Sequence, residues 1–197
     1  MYRRLLSLWA AVVLLLVGIL PANASAYGRM QVTDNTETAY CGSTPVFTTA
    51  ASATDIFNIK GSSTKTIYIR KITWKQANIA TGGSFNVYLL KRSTANSGGT
   101  SSALTAVPLD SNFSSATASG VYYTANPTTG TSLGGIAHVF LYVNAMVPGY
   151  AYTLFDSTKG GAPIVLRGTS ESVSVNYNGV TDPLGTSAVV DIEWSEK

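Results

Sequence analysis

Beyond residue 52 the apolar residues recur at alternate positions in short runs, and Gly, Pro, Asn, Ser and Thr fill the gaps between them. A period of two with turn chemistry between the runs predicts strands that turn one face to a core. Asp55-Ile56-Phe57-Asn58-Ile59 is the first, stopped by Gly61-Ser62-Ser63. In 66–75 (TIYIRKITWK) Ile67 and Ile69 share one parity, whereas Ile72 and Trp74 take the other. One extra residue near Arg70-Lys71, a β-bulge, brings all four to the same face. The alternative is a strand buried first on one face and then on the other.

The stretch 83–90 turns Phe85, Val87 and Leu89 inward and Asn86 and Tyr88 outward, and 119–124 gives a short aromatic strand around Val121-Tyr122-Tyr123. The stretch 136–143 is apolar on both parities, which fits a central strand packed on both sides or a strand at an interface. Val147-Pro148-Gly149 is a turn that launches a strand over 150–155. Strands over 163–167, 172–177 and 188–194 complete the set, the last with Val190, Ile192 and Trp194 on one face. No helical period appears after residue 26. Many short strands without helices predict an all-β chain: a single antiparallel β-sandwich of jelly-roll type.

The first residues break this pattern. Arg3 and Arg4 precede an almost wholly apolar run from Leu5 to Leu20, then Pro21, then Ala24-Ser25-Ala26. A basic start, an apolar middle and small residues at a cleavage point form a secretory signal peptide, cut after Ala26. The run is short of the roughly 20 residues that span a bilayer, so no stable membrane insertion is expected after cleavage. The expected organisation is a signal peptide over 1–26, an N-terminal arm or irregular first strand over 27–52, and the sandwich over 53–197. The exported chain is secreted, periplasmic or at the cell surface.

Export changes the charge picture. Of 13 basic residues Arg3 and Arg4 leave with the signal, so 11 remain against 10 acidic ones, a balance of +1. Scattered charges near neutrality give no footprint for nucleic acid. Cys41 is the only cysteine, so the domain is held by its core rather than by an internal disulfide. It reads as a small half-buried residue or as the source of an intermolecular bridge.

Candidate chemistry is sparse. His138 is the only histidine, set mid-strand among Ile136, Phe140 and Tyr142, and it reads as structural rather than as a general base. One His and one Cys cannot build a structural zinc site, and the acidic residues are spread singly. No catalytic residues, metal ligands or cofactors are therefore assigned. Trp74 and Trp194 alternate with apolar neighbours and belong to the core. Interaction candidates remain. Lys91 and Arg92 stand where a strand runs into 94–105, an exposed Ser/Thr/Gly loop that carries Asn96 and turns at Gly98-Gly99. Lys91 lies on the core-side parity with its ammonium reaching water, and Arg92 on the outward parity. Replacing both is expected to leave folding nearly intact. Tyr122 and Tyr123 are candidates for stacking on sugars.

Six stretches together resemble a group of small, mostly uncharacterised β-rich proteins of tailed phages and prophages. They are 54–61 (TDIFNIKG), 89–101 (LLKRSTANSGGTS), 106–112 (AVPLDSN), 123–128 (YTANPT), 165–169 (VLRGT) and 191–194 (DIEW). The resemblance covers about 50–197 and implies a virion-associated component, such as a capsid decoration or appendage protein. It brings no catalytic residues with it. A secretory signal departs from that pattern, because virion proteins assemble in the cytoplasm, and it points to an exported or host-encoded relative. A looser likeness to trimeric jelly-roll domains of the tumour-necrosis-factor type implies homo-oligomers. The expected function is thus non-enzymatic, through protein partners, a second copy or a virion shell. A secreted carbohydrate- or cell-surface-binding module is the alternative.

Overall fold

The computed structural model describes residues 37–78, 83–143, 151–180 and 187–197, and the side chains within them except at Asn78, Phe85, Tyr142 and Val143. The signal peptide, the first part of the arm and the turn at 147–149 lie outside the described residues. The alternating runs form strands, and none of the described residues is helical. In chain order the strands are β1 (Thr38–Ser43), β2 (Phe47–Thr48), β3 (Asp55–Lys60), β4 (Ile67–Asn78), β5 (Gly83–Arg92), β6 (Thr100–Ala103) and β7 (Val107–Pro108). They continue as β8 (Ser119–Ala125), β9 (Ser132–Val143), β10 (Ala151–Asp156), β11 (Ile164–Leu166), β12 (Ser172–Asn176) and β13 (Ser187–Glu196).

Two antiparallel sheets make a β-sandwich. Sheet A has the order β10-β4-β13-β1-β7, with β11 also on β4 and β2 also on β13; sheet B has the order β6-β8-β3-β12-β5-β9. The pairings are nested. β5 pairs β9, β4 pairs β10, β3 pairs β12 and β1 pairs β13, each antiparallel. The chain is thus one long hairpin wound into two layers. Within 27–52, β1 is a regular strand, bonded to β13 on one side and to β7 on the other.

The core lies between the sheets. Ile67, Ile69, Ile72 and Trp74 are all fully buried, although their sequence parity changes midway. The register explains it: Lys71 pairs Glu193 and Ile69 pairs Trp194, so Arg70 is the extra residue of a bulge. The bulge expected near Arg70-Lys71 is where the alternation placed it. Trp74 donates its indole N–H to the Tyr177 hydroxyl at 2.8 Å, and Tyr40 stacks on Trp194 with centroids 5.6 Å apart. Each indole therefore buries a large apolar area. Cys41 is free and half-buried on β1.

Strand β9 is the terminal strand of sheet B, not a central one. Its outward parity is apolar without being covered: Phe140 is 65% exposed. The reading of 136–143 as a central strand packed on both sides is overturned by this position.

Residues 93–131 interrupt the nested hairpin between β5 and β9, and they are more than a loop. β6 and β8 extend sheet B beyond β3, and β7 extends sheet A beyond β1. Gly98 and Gly99 turn the chain with φ of 63° and 74°, left-handed values that cost a glycine nothing. A buried acid anchors the middle of the insertion. Glu196, fully buried at the end of β13, accepts from the backbone N–H groups of Thr117 and Ala118 at 2.9 Å, the Thr117 hydroxyl at 2.7 Å and the Trp194 indole at 3.1 Å.

Burial alone pushes the Glu196 carboxyl up, but the hydrogen bonds from Ala118, Thr117 and Trp194 outweigh it and hold the group below its ordinary value. A depressed folded value means stability that is fully present above the unfolded value of about 4.3 and is lost as pH falls through the folded value. Glu196→Gln should therefore cost about 2–3 kcal/mol at neutral pH, the worth of hydrogen bonds to a charged acceptor. Urea titrations at stepped pH should show the gap between the two proteins narrowing once pH drops below about 4.

Candidate functional site

Both ends of the insertion meet on the outer face of sheet B. Adjacent strands place Asn58 opposite Ser174 and Ser174 opposite Leu90, while Asn176 lies opposite Asp55 and Tyr88. Simple alternation would turn Asp55 inward with Phe57 and Ile59. A register shift leaves Ile56 unpaired and re-aims Asp55 outward. Arg92, at the exit of β5, reaches it along the sheet.

The contact is bidentate: Nε donates to Asp55 Oδ2 at 2.7 Å and Nη2 to Oδ1 at 2.6 Å. The Asn96 amide donates to Oδ2 at 2.7 Å and the Asn176 amide to Oδ1 at 2.5 Å. The carboxylate thus has four donors, its full capacity. The third arm of Arg92, Nη1, donates to the Gly130 carbonyl at 2.6 Å, and the Gly130 N–H donates to Asn96 Oδ1 at 2.9 Å. At Gly130 a Cβ would collide with the Thr94 carbonyl, so only glycine lets the two end segments of the insertion approach this closely. Ser97 and Thr128 exchange backbone hydrogen bonds at 3.0 and 2.8 Å just above. Tyr123 seals the cluster at 6% exposure. Burial raises its phenol, a hydrogen bond with Asn96 pulls the other way, and the charge of Asp55 adds to the rise.

Arg92, Asn96 and Tyr123 are therefore brought together, but around Asp55 and beneath the insertion rather than at the surface. Parity put Arg92 outward correctly; it is nonetheless 4% exposed because 93–97 and 126–131 lie over it. The expectation that both cations can be removed without cost to the fold is overturned for Arg92. Lys91 has inward parity and donates to the Val165 carbonyl at 2.9 Å, with Glu171 at 3.4 Å. Tyr122 also faces inward, its ring 4.9 Å from Phe47. Asp55, Asn176 and Ser174 were not singled out by sequence reasoning. A signal was available: Thr-Ala-Asn occurs at 94–96 and again at 124–126. The first Asn binds Asp55; the second, Asn126, takes the Thr54 N–H at 2.9 Å and donates to the Ser52 carbonyl at 2.9 Å.

Beside this sealed cluster the same face is open. A groove of about 430 Å³ runs between β5, β9 and the turn after β12, lined by Tyr88, Leu90, Ile136, His138, Asn176 and Asn178 among others. It follows from a second bulge: Leu89 pairs Ala137 and Leu90 pairs Gly135, so Ile136 is the extra residue. Tyr88 and His138 stack across the strands, nearly parallel, with centroids 4.2 Å apart. His138 Nε2 lies 2.7 Å from Asn86 Oδ1. The histidine is exposed on the outer face. Asn178 takes φ 59°, and its N–H donates to Asn176 Oδ1 at 2.6 Å. The groove wall is thereby tied to the Asp55 cluster. Among the described residues no charged side chain lines the groove.

Asp55→Ala should be severe, since it strands a buried guanidinium; a loss of about 3–5 kcal/mol is expected in chemical denaturation. Lys91→Ala removes a half-exposed contact and should cost less than about 1 kcal/mol in the same measurement. Equal losses for the two variants would contradict the division between sealed cluster and rim.

Comparison of the chain with protein-family models, with curated proteins and with solved structures returns no match.

Proposed function

We propose that this chain is a non-enzymatic β-sandwich that works by surface contact, a phage-derived virion-associated component such as a capsid decoration or appendage subunit. Its contact is to a neighbouring copy or shell subunit. The observation that carries this reading is the terminal strand β9. From Ala137 to Val143 it pairs β5 without interruption, its other edge is unpaired among the described residues, and 132–143 holds no charged residue. Edges left free in solution are commonly blunted by charge or Pro. An uncharged edge with Phe140 at 65% exposure is instead suited to being covered. The mature charge of +1 sets up little repulsion between copies.

The jelly-roll description belongs to this reading. Nested pairing of β1 with β13, β3 with β12, β4 with β10 and β5 with β9 supports it, as do the two resulting sheet orders. Of the stretches similar to tailed-phage proteins, 54–61, 89–101 and 123–128 supply Asp55, Arg92, Asn96 and Tyr123 of the buried cluster, which gives those phrases a structural reason to occur together. Export by the leader and assembly into a particle are further parts of the proposal.

Light scattering behind a sizing column tests self-association. The native chain should run as an oligomer, and Phe140→Lys, which changes the exposed outer-face residue alone, should run as a monomer with an unchanged far-ultraviolet spectrum. Mass spectrometry of purified particles from a producing strain tests the virion role. A native monomer that is also absent from particles would sink the reading.

The second reading is a secreted carbohydrate- or cell-surface-binding module. The aromatic and amide groove beside β9 is the observation that favours it.

A further inference from the structure

We infer that the groove between β5, β9 and the turn after β12 is a subsite for one neutral sugar unit, with Tyr88 as its platform. The inference rests on the carbohydrate-binding reading and gives it a place and a ligand class. A pyranose presents a face of C–H groups and a rim of hydroxyls. The face suits an aromatic ring, and the rim suits planar amides and imidazoles that both donate and accept. Tyr88, His138 and Asn178 supply that combination around about 430 Å³, a size within the ordinary range for small-ligand sites, while the buried Asn176, bonded to Asp55 and to the Asn178 N–H, holds the wall in place.

Three features go beyond the presence of suitable residues. The Tyr88 ring is held by its stack on His138, which is itself tied to Asn86. Such fixing lowers the ordering cost of binding. Asn178 adopts a left-handed backbone that most residues resist, and its N–H, donated to the Asn176 side-chain oxygen Oδ1, holds it there. That conformation sets an amide-bearing residue at the groove wall. The bulge at Ile136 then opens the space between β5 and β9 on this face, with Gly135 contributing no side chain to fill it. The lining carries no formal charge among the described residues, so sialic acids, uronic acids and sulfated sugars find no counter-charge in them.

The test uses the full chain in two arms. A glycan array reports whether any carbohydrate binds. Titration with galactose, glucose, mannose and N-acetylglucosamine, followed by NMR shifts of Tyr88 and His138, reports where. Tyr88→Leu and Asn178→Gly should each weaken binding at least tenfold; the glycine preserves the positive φ while deleting the amide. Circular dichroism and light scattering confirm that fold and assembly are retained. Array binding that survives both variants would overturn the groove and leave the carbohydrate reading standing. A blank array with no shifts at saturating monosaccharide would overturn both. Preference for anionic glycans would overturn the ligand class.

Discussion

The pairing of Asp55 with Arg92 is the constraint on which the rest of sheet B depends. A buried ion pair repays its desolvation only where geometry is good and the remaining donors and acceptors are met. Here the carboxylate has four donors, and the guanidinium also holds the Gly130 carbonyl. The partners come from β3, β5, β12 and both ends of the insertion, so the cluster fixes where the insertion begins and where it returns. A purely apolar patch would hold these segments as well, but without specifying their register. Glu196 does similar work farther along, at Thr117 and Ala118.

The two lateral ends of sheet B are consequently different. On one side the insertion adds β8 and β6 beyond β3, ending in a four-residue strand that exposes small polar residues. On the other side β9 is long, apolar and uncharged. Its bulged half opens the groove, and its regular half offers the pairing edge. The open groove and the apolar edge thus lie next to each other, and Asn176 links the groove wall to the buried cluster through Asp55.

Much of the fold was legible because alternation is local. The parity change in 66–75 located the bulge at Arg70, and Val190, Ile192 and Trp194 turned inward as their spacing required. The site was less legible for a specific reason. Parity tells which face a residue takes but not whether a distant segment covers that face. Arg92 looked solvent-facing because its cover, 93–97 and 126–131, consists of small polar residues that read as solvated loop. Asp55 was harder still, since the bulge at Ile56 reverses its direction and shows only in the pairing with β12. The spacing of His138 among Ile136, Phe140 and Tyr142 reads as structural, yet its strand is terminal and its ring lies on an open face.

The nested pairing has a consequence for the order in which structure can accumulate. Neighbours in the chain meet at the centre of the nest, where β5 joins β9, whereas β1 and β4 wait for β13. Sheet A therefore has its middle strand supplied last as the chain is made. Contacts between such distant segments pay loop-closure entropy before they return stability, which slows folding. Until β13 emerges, Ile67, Ile69, Ile72 and Trp74 have β10 and β11 along one side and no partner strand along the other. The nascent chain is then an open half-sandwich whose uncovered apolar strands are vulnerable to aggregation until the last strand arrives.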